Sequence, residues 1–142
     1  MSKRPHYLLD TNVLSETRKK RPEVRVLRFL EGAEPSALYL SVLTLGEFRK
    51  GIAFKRRTDA VGADRLAAWV DGLESGFSER ILSVDVEIAR LWGEFCAERS
   101  RPVIDTLLAA TAIRHELTLV TRNDSDMRGL PVKILNPWES GT

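Results

Sequence analysis

Tyr7-Leu8-Leu9-Asp10-Thr11-Asn12-Val13-Leu14-Ser15-Glu16 is the stretch whose reading decides the fold. A short apolar run ends abruptly in an acid, and two small polar residues then lead into a helical pattern. That is the outline of a buried parallel strand, His6 to Asp10, delivering a carboxylate to its C-terminal end. Ligands of open α/β sheets sit just outside such ends. The local explanation of Asp10 is an N-cap for the helix that follows, from about Asn12 to Lys19.

Outward from this stretch, elements alternate. Pro22 suits the first turn of a helix whose Val24, Leu27 and Leu30 form a stripe running to Gly32. Leu38 to Val42 reads as a second strand. Thr44-Leu45-Gly46-Glu47 matches a capping box, with Thr44 as N-cap of a helix to about Lys55. Thr58 to Gly76 is amphipathic, with Leu66, Trp69, Val70 and Leu73 inward. Ile81 to Val84 makes a third strand, and Asp85 caps a helix using Ile88, Leu91, Trp92 and Phe95. Arg101-Pro102 breaks the chain before the apolar helix Val103 to Glu116. Thr118 to Thr121 and Val132 to Leu135 supply the fourth and fifth strands. Strands alternating with helices predict one α/β domain over residues 1–142, a mostly parallel sheet of about five strands covered on both faces.

Bulk properties narrow the function. The chain has 142 residues, 43% hydrophobic and 30% charged, as a soluble globular protein would. No apolar run approaches the roughly 20 residues of a membrane span, and no signal peptide is recognisable, so the expected location is the cytoplasm, away from membranes. A single cysteine, Cys96, excludes an internal disulfide and disfavours a thiolate zinc site. With only two histidines, a bound metal would be a hard cation held by oxygens. Residues 1–57 carry 13 Lys/Arg against 6 Asp/Glu, and the remainder carry 9 against 14. Arg18 to Arg21, Arg49-Lys50 and Lys55 to Arg57 hold much of the basic excess, which suits either solvent or a polyanion.

Three further acids share Asp10's apolar surroundings or its place at an element end. Glu47 has a local explanation in the capping box. Asp105 does not: it lies in the first turns of an apolar helix, where the helix end favours an anion by only about 0.3–1 kcal/mol. Burying an unpaired carboxylate costs several kcal/mol, so a cation or hydrogen bonds are expected beside it. The polar run Thr121-Arg122-Asn123-Asp124-Ser125-Asp126 follows the fourth strand. Acids at four element ends are explained together by one pocket. Gathered carboxylates raise each other's pKa unless a cation intervenes, and the cation suited to oxygen ligands and waters is Mg²⁺, with Mn²⁺ able to substitute. Such an ion activates water for displacement at phosphorus. With basic surface nearby, the chemistry points to hydrolysis of a nucleic-acid phosphodiester.

Leu8-Leu9-Asp10-Thr11-Asn12, Ser41 to Glu47, Asp105 to Ala112, Leu119-Val120-Thr121-Arg122-Asn123 and Asn136-Pro137-Trp138 occur in one order along nearly the whole chain. In this the sequence resembles the PIN-domain family, and within it the VapC-type toxins of type II toxin–antitoxin pairs, including the FitB-like branch. The resemblance implies a three-layer PIN-like sandwich and a Mg²⁺-dependent endoribonuclease, typically a homodimer. It also implies a cognate antitoxin that holds the toxin inactive and supplies DNA binding. Asp10 and Asp105 match the metal-binding positions, and Glu47 matches the third acid. Thr11 and Asn12 match the small polar donors beside Asp10, and Thr121 opens the last motif. The fourth acid departs from the family pattern, which places an acid two residues after the threonine, or five residues after it and followed by Phe. Here those positions are Asn123 and Asp126, with Met127 for the aromatic, and Asp124 is an extra candidate. Asp126 is the expected fourth acid, with Asn123 as its hydrogen-bonding neighbour.

Two other functions fit parts of this pattern. A haloacid-dehalogenase-like phosphatase requires a second acid where Asn12 stands. A non-catalytic PIN-fold regulatory partner in a DNA-bound complex would have no need of acids at 10, 47 and 105. His6, His115, Trp69, Trp92, Trp138 and Cys96 are expected to serve structure rather than chemistry.

Overall fold

A computed structural model describes residues 5–139. Five strands, β1 (Tyr7–Leu9), β2 (Leu38–Ser41), β3 (Ile81–Leu82), β4 (Thr118–Val120) and β5 (Ile134–Leu135), form one sheet in the order β3-β2-β1-β4-β5. Every neighbouring pair is parallel, with Tyr7 opposite both Leu38 and Thr118, and Leu119 opposite Ile134. The helices are α1 (Thr11–Glu16), α2 (Val24–Gly32), α3 (Val42–Arg56), α4 (Ala60–Gly76), α5 (Val86–Glu98) and α6 (Val103–Arg114).

Successive side chains of a strand face opposite ways, and both faces here are buried. Leu9, Leu40 and Val120 pack beneath Val13 and Leu14 of α1, Val26 of α2, Phe48 and Ile52 of α3 and Val70 of α4. Leu8 and Leu119 face the other way, onto Leu108, Ala109 and Ala112 of α6. Ile88 and Phe95 of α5 then close on Ala110 of the same helix. The run of alanines in α6 explains its lack of a polar face: it is covered by the sheet on one side and by α5 on the other. The three-layer architecture expected from the sequence is present.

Several boundaries shift for identifiable reasons. β2 ends at Ser41, whose hydroxyl accepts from the Leu43 amide at 3.0 Å, so Ser41 caps α3 and Val42 already belongs to the helix. Thr44 is therefore an interior helical residue, and the expected capping box does not form. Its hydroxyl is buried without a partner. Replacing Thr44 by Val should stabilise the fold by about 1 kcal/mol, since an unsatisfied polar atom is removed. A cap would instead lose about 1 kcal/mol on substitution, and a urea or thermal melt separates the two signs. Pro22 lies ahead of α2, whose N-cap is Glu23. α4 starts at Ala60, two residues into the stretch expected from Thr58, and Asp59 caps it, accepting from Gly62 N at 2.8 Å. Asp85 caps α5 as expected, accepting from Ile88 N.

Candidate active site

The chain runs from β1 outward to β2 and β3, then returns to β4 and β5 on the other side of β1. The direction of winding thus reverses between β1 and β4, where open α/β sheets place their ligand crevices. Asp10 and Thr121 stand side by side at the C-terminal ends of these two strands. Asp10 N donates to Val120 O at 2.9 Å, which extends the ladder to the mouth of the crevice.

Asp10 is 3% exposed and heavily bonded. It is the N-cap of α1, accepting from Thr11 N at 2.6 Å on Oδ1. Its Oδ2 accepts from Thr121 Oγ1 at 2.7 Å and, at 3.4 Å, from Asn12 Nδ2. Asp10 therefore caps α1 while its second oxygen is turned to the end of β4. Burial raises its pKa above the ordinary carboxylate value; the Thr121 and Thr11 hydrogen bonds oppose that shift and the charge of Glu47 adds to it.

Glu47, one turn into α3, accepts from Thr11 Oγ1 at 2.6 Å. It reaches toward β1 instead of back toward its own helix end. Its other carboxylate oxygen is left for solvent or a ligand.

Asp105 is half-buried in the first turn of α6. Among the described residues no hydrogen bond or cation serves its carboxylate. Its pKa is pushed up to about 6, first by burial and then by the negative charges of Asp10, Asp126 and Glu47. The same four acids singled out from the sequence thus act on one another across the strand ends.

The loop after β4 carries the remaining candidates. Thr121 Oγ1 accepts from Asn123 N at 3.0 Å, and Asn12 Oδ1 lies 3.4 Å from Arg122 N. Asn123 precedes a 3-10 turn, Asp124–Met127, in which Met127 is buried against Leu8 and Leu108 where the family pattern has Phe. Asp126 projects its charge onto Asp105. Asp124 instead lines a cleft with Lys133, Asn136 and Glu139. Both histidines line a separate cleft of about 900 Å³ at the N-terminal ends of the strands, away from the acids.

The donor set is wholly oxygen, and its negative charge is uncompensated, which fits a hard divalent cation. Among the described residues no three acid, histidine or cysteine side chains converge at metal-ligand spacing.

Two participants around the crevice have no signature in the local sequence. Glu16 reads as the polar face of α1, yet it is 4% exposed. It accepts from Glu23 N at 2.9 Å and pairs with Lys19 at 2.9 Å. The Lys19 hydrogen bond, then that of Glu23, hold its pKa below the usual glutamate value. Its one available signal is the i,i+4 spacing from Asn12, which puts both on one side of α1. Arg122 sets its guanidinium carbon over the Trp138 ring, 5.2 Å from the centroid.

Comparison with known proteins agrees with this geometry. The PIN domain family model matches residues 7–133. VapC ribonuclease Y4jK of Sinorhizobium fredii is 36% identical over 141 residues, spanning 93% of this chain and 97% of that relative. Toxin FitB of Neisseria gonorrhoeae is 32% identical over 138 residues, spanning 92% and 97%. The solved structure of FitAB bound to an IR36 DNA fragment contains a chain that superposes with a TM-score of 0.86 at 28% identity, covering 96% of this chain and 98% of that one. With a family match over most of its length and relatives above 30% identity end to end, the chain belongs to the PIN-domain family, beside its VapC- and FitB-type members.

Proposed function

We propose that this protein is a Mg²⁺-dependent endoribonuclease acting as the toxin of a type II toxin–antitoxin pair in the cytoplasm. The observation that carries the reading is the uncompensated charge of Asp10, Glu47, Asp105 and Asp126 at the topological switch point, in a donor set of oxygens alone. Asp10 and Asp105 would hold Mg²⁺, or Mn²⁺ in its place. The chemistry such an ion supplies is an activated water and a positive charge opposite the phosphate oxygens.

The chain's own residues do the rest. Thr121 and Asn12 fix the Asp10 carboxylate, and the helix end at Thr11 N holds its other oxygen. The Thr11 hydroxyl occupies one oxygen of Glu47, leaving the second to orient water or take its proton. Asp126 completes the acidic rim, and the Asn123 amide braces Thr121. Asp124 belongs to the neighbouring cleft and is not assigned a part.

The names of the ribonuclease relatives support RNA as substrate, and the FitAB complex on DNA supports an antitoxin partner that brings the DNA contact. A homodimer is part of the same proposal. Among the described residues no helix is long and apolar enough to cross a membrane. The test is incubation of purified protein with a total-RNA pool in Mg²⁺ or Mn²⁺ and, separately, in chelator. Discrete metal-dependent fragments are the expected result. Absence of both cleavage and Mn²⁺ binding would overturn the proposal and favour a regulatory PIN-fold partner without catalysis.

A further inference from the structure

An acidic crevice repels the polyanion it is meant to cleave, so a cation must meet the RNA backbone beside it. Most arginines whose contacts are resolved here are already engaged. Arg25, Arg49, Arg56, Arg90, Arg101 and Arg114 pair with carboxylates, and Arg80 is spent on the carbonyls of Leu38 and Gly76. Arg122 differs. It follows Thr121, the residue that bonds Asp10, and its own amide faces Asn12 Oδ1. Its backbone is thereby fixed to the crevice wall.

The side chain is exposed, and no ion pair among the described residues uses it. Its guanidinium carbon lies over the ring of Trp138, 5.2 Å from the centroid, and Trp138 packs against the core under α1 to α4. Glu16, an acid on which its charge acts, already has Lys19 and the Glu23 amide as partners. A guanidinium set over an indole ring, with no hydrogen bond or ion pair of its own among the described residues, keeps its N–H groups for the paired oxygens of a phosphate.

We propose that Arg122, braced on Trp138, is a substrate-binding residue that grips a backbone phosphate of the RNA strand entering the acidic crevice. This rests on the endoribonuclease reading, and it adds the specific contact that offsets the repulsion of the acids. Trp138, sixteen positions further along the chain, is the brace, and Glu16 is already paired with Lys19.

The test uses a fluorescent single-stranded RNA of randomised sequence, with binding measured in an Asp105→Asn background and cleavage in the otherwise native chain. Arg122→Ala should weaken binding about tenfold at low salt. It should also make log K against log salt shallower by about 0.7, the contribution of one phosphate contact on a single strand. KM should rise by a similar factor while kcat changes little. Arg122→Lys should keep the salt slope and lose part of the affinity. Trp138→Leu should likewise weaken binding at unchanged slope, because the charge stays and only its brace is lost. Mn²⁺ affinity, read by calorimetry, and the thermal melt of Arg122→Ala should match the parent.

Cleavage by the native chain with KM and salt slope unaltered in Arg122→Ala would overturn this proposal and leave the endoribonuclease reading standing. Loss of Mn²⁺ binding in Arg122→Ala would overturn it too, since the residue would then be holding the crevice together. No cleavage by the native chain and no RNA binding in the Asp105→Asn background would remove both.

Discussion

Asp105→Asn is expected to abolish metal-dependent cleavage, by about 10³-fold or more, while making the metal-free protein more stable. The two effects share one cause. Asp105 is half-buried, has no hydrogen bond or counter-charge among the described residues, and faces three other acids. Its carboxyl is driven up to about 6, so the folded protein binds that proton more tightly than the unfolded chain does. Below the ordinary carboxylate range both states are protonated and the site carries no penalty. As pH rises toward 6 the unfolded chain ionises first, and stability is lost across that interval. Above it the deficit is constant. A shift of about two pKa units corresponds to roughly 3 kcal/mol, which solvent screening of a half-exposed group reduces to about 1 kcal/mol. The Asn variant lacks the deficit, so its Tm at neutral pH should exceed the parent's by about 2–4 °C, with no gap near pH 4. Added Mg²⁺ should invert the order. An ion at a hundred times its Kd stabilises the parent by about 2.7 kcal/mol and the variant far less. Equal melts in chelator, or equal Mg²⁺-induced shifts, would remove Asp105 from the proposed metal site.

The same physics explains which features were legible in the sequence. Leu8-Leu9-Asp10 could be read because a strand buried on both faces is a continuous apolar run, and an acid at its end has no burial motive. The alanines of α6 declared a helix covered on two sides, which made Asp105 conspicuous. The start of α3 was misread because Ser41 and Thr44 are equivalent capping residues by local chemistry. Sheet register decides between them: Ser41 pairs with Leu82 as the last position of β2, so the helix must begin at once. That shift removes the local explanation of Glu47 and leaves its bond to Thr11, across 36 residues, as the reason for its position. The contacts of Glu16 and Arg122 are not written in the local sequence, for a related reason. The burial of Glu16 depends on residues 17–23 folding back to bring the Glu23 amide to it, and the brace of Arg122 arrives from beyond β5. The choice among acids after Thr121 also needed three dimensions. Asp124 and Asp126 are two apart in a tight 3-10 turn, and only the backbone path puts the charge of one on Asp105 and the other in the wall of the neighbouring cleft.

Asp10→Ala should lose cleavage as completely as Asp105→Asn, but with the opposite effect on stability. Where Asp105 stands unsupported, Asp10 is tied into the fold: it caps α1 through Thr11 N and receives the Thr121 hydroxyl. Removing a side-chain cap costs about 1 kcal/mol. The buried Thr121 hydroxyl and the Asn12 amide would lose their shared acceptor, and an unsatisfied buried donor costs a further 1–3 kcal/mol or so. Relief of the burial penalty on the carboxylate offsets part of this. The net expectation is destabilisation of about 1–3 kcal/mol, a fall in Tm of roughly 3–10 °C for a chain of this size. Asp10→Asn supplies the control. Its amide oxygen still accepts from Thr11 N and its NH₂ can donate to Thr121 Oγ1, so it should melt within a few degrees of the parent while remaining inactive. Metal-free melts of the two variants, run beside Mn²⁺ titrations, separate the roles. If Asp10→Ala melts like the parent, the hydrogen bonds at the end of β1 are not what holds this corner of the fold. If Asp10→Asn binds Mn²⁺ like the parent, Asp10 is a cap and the metal is held elsewhere.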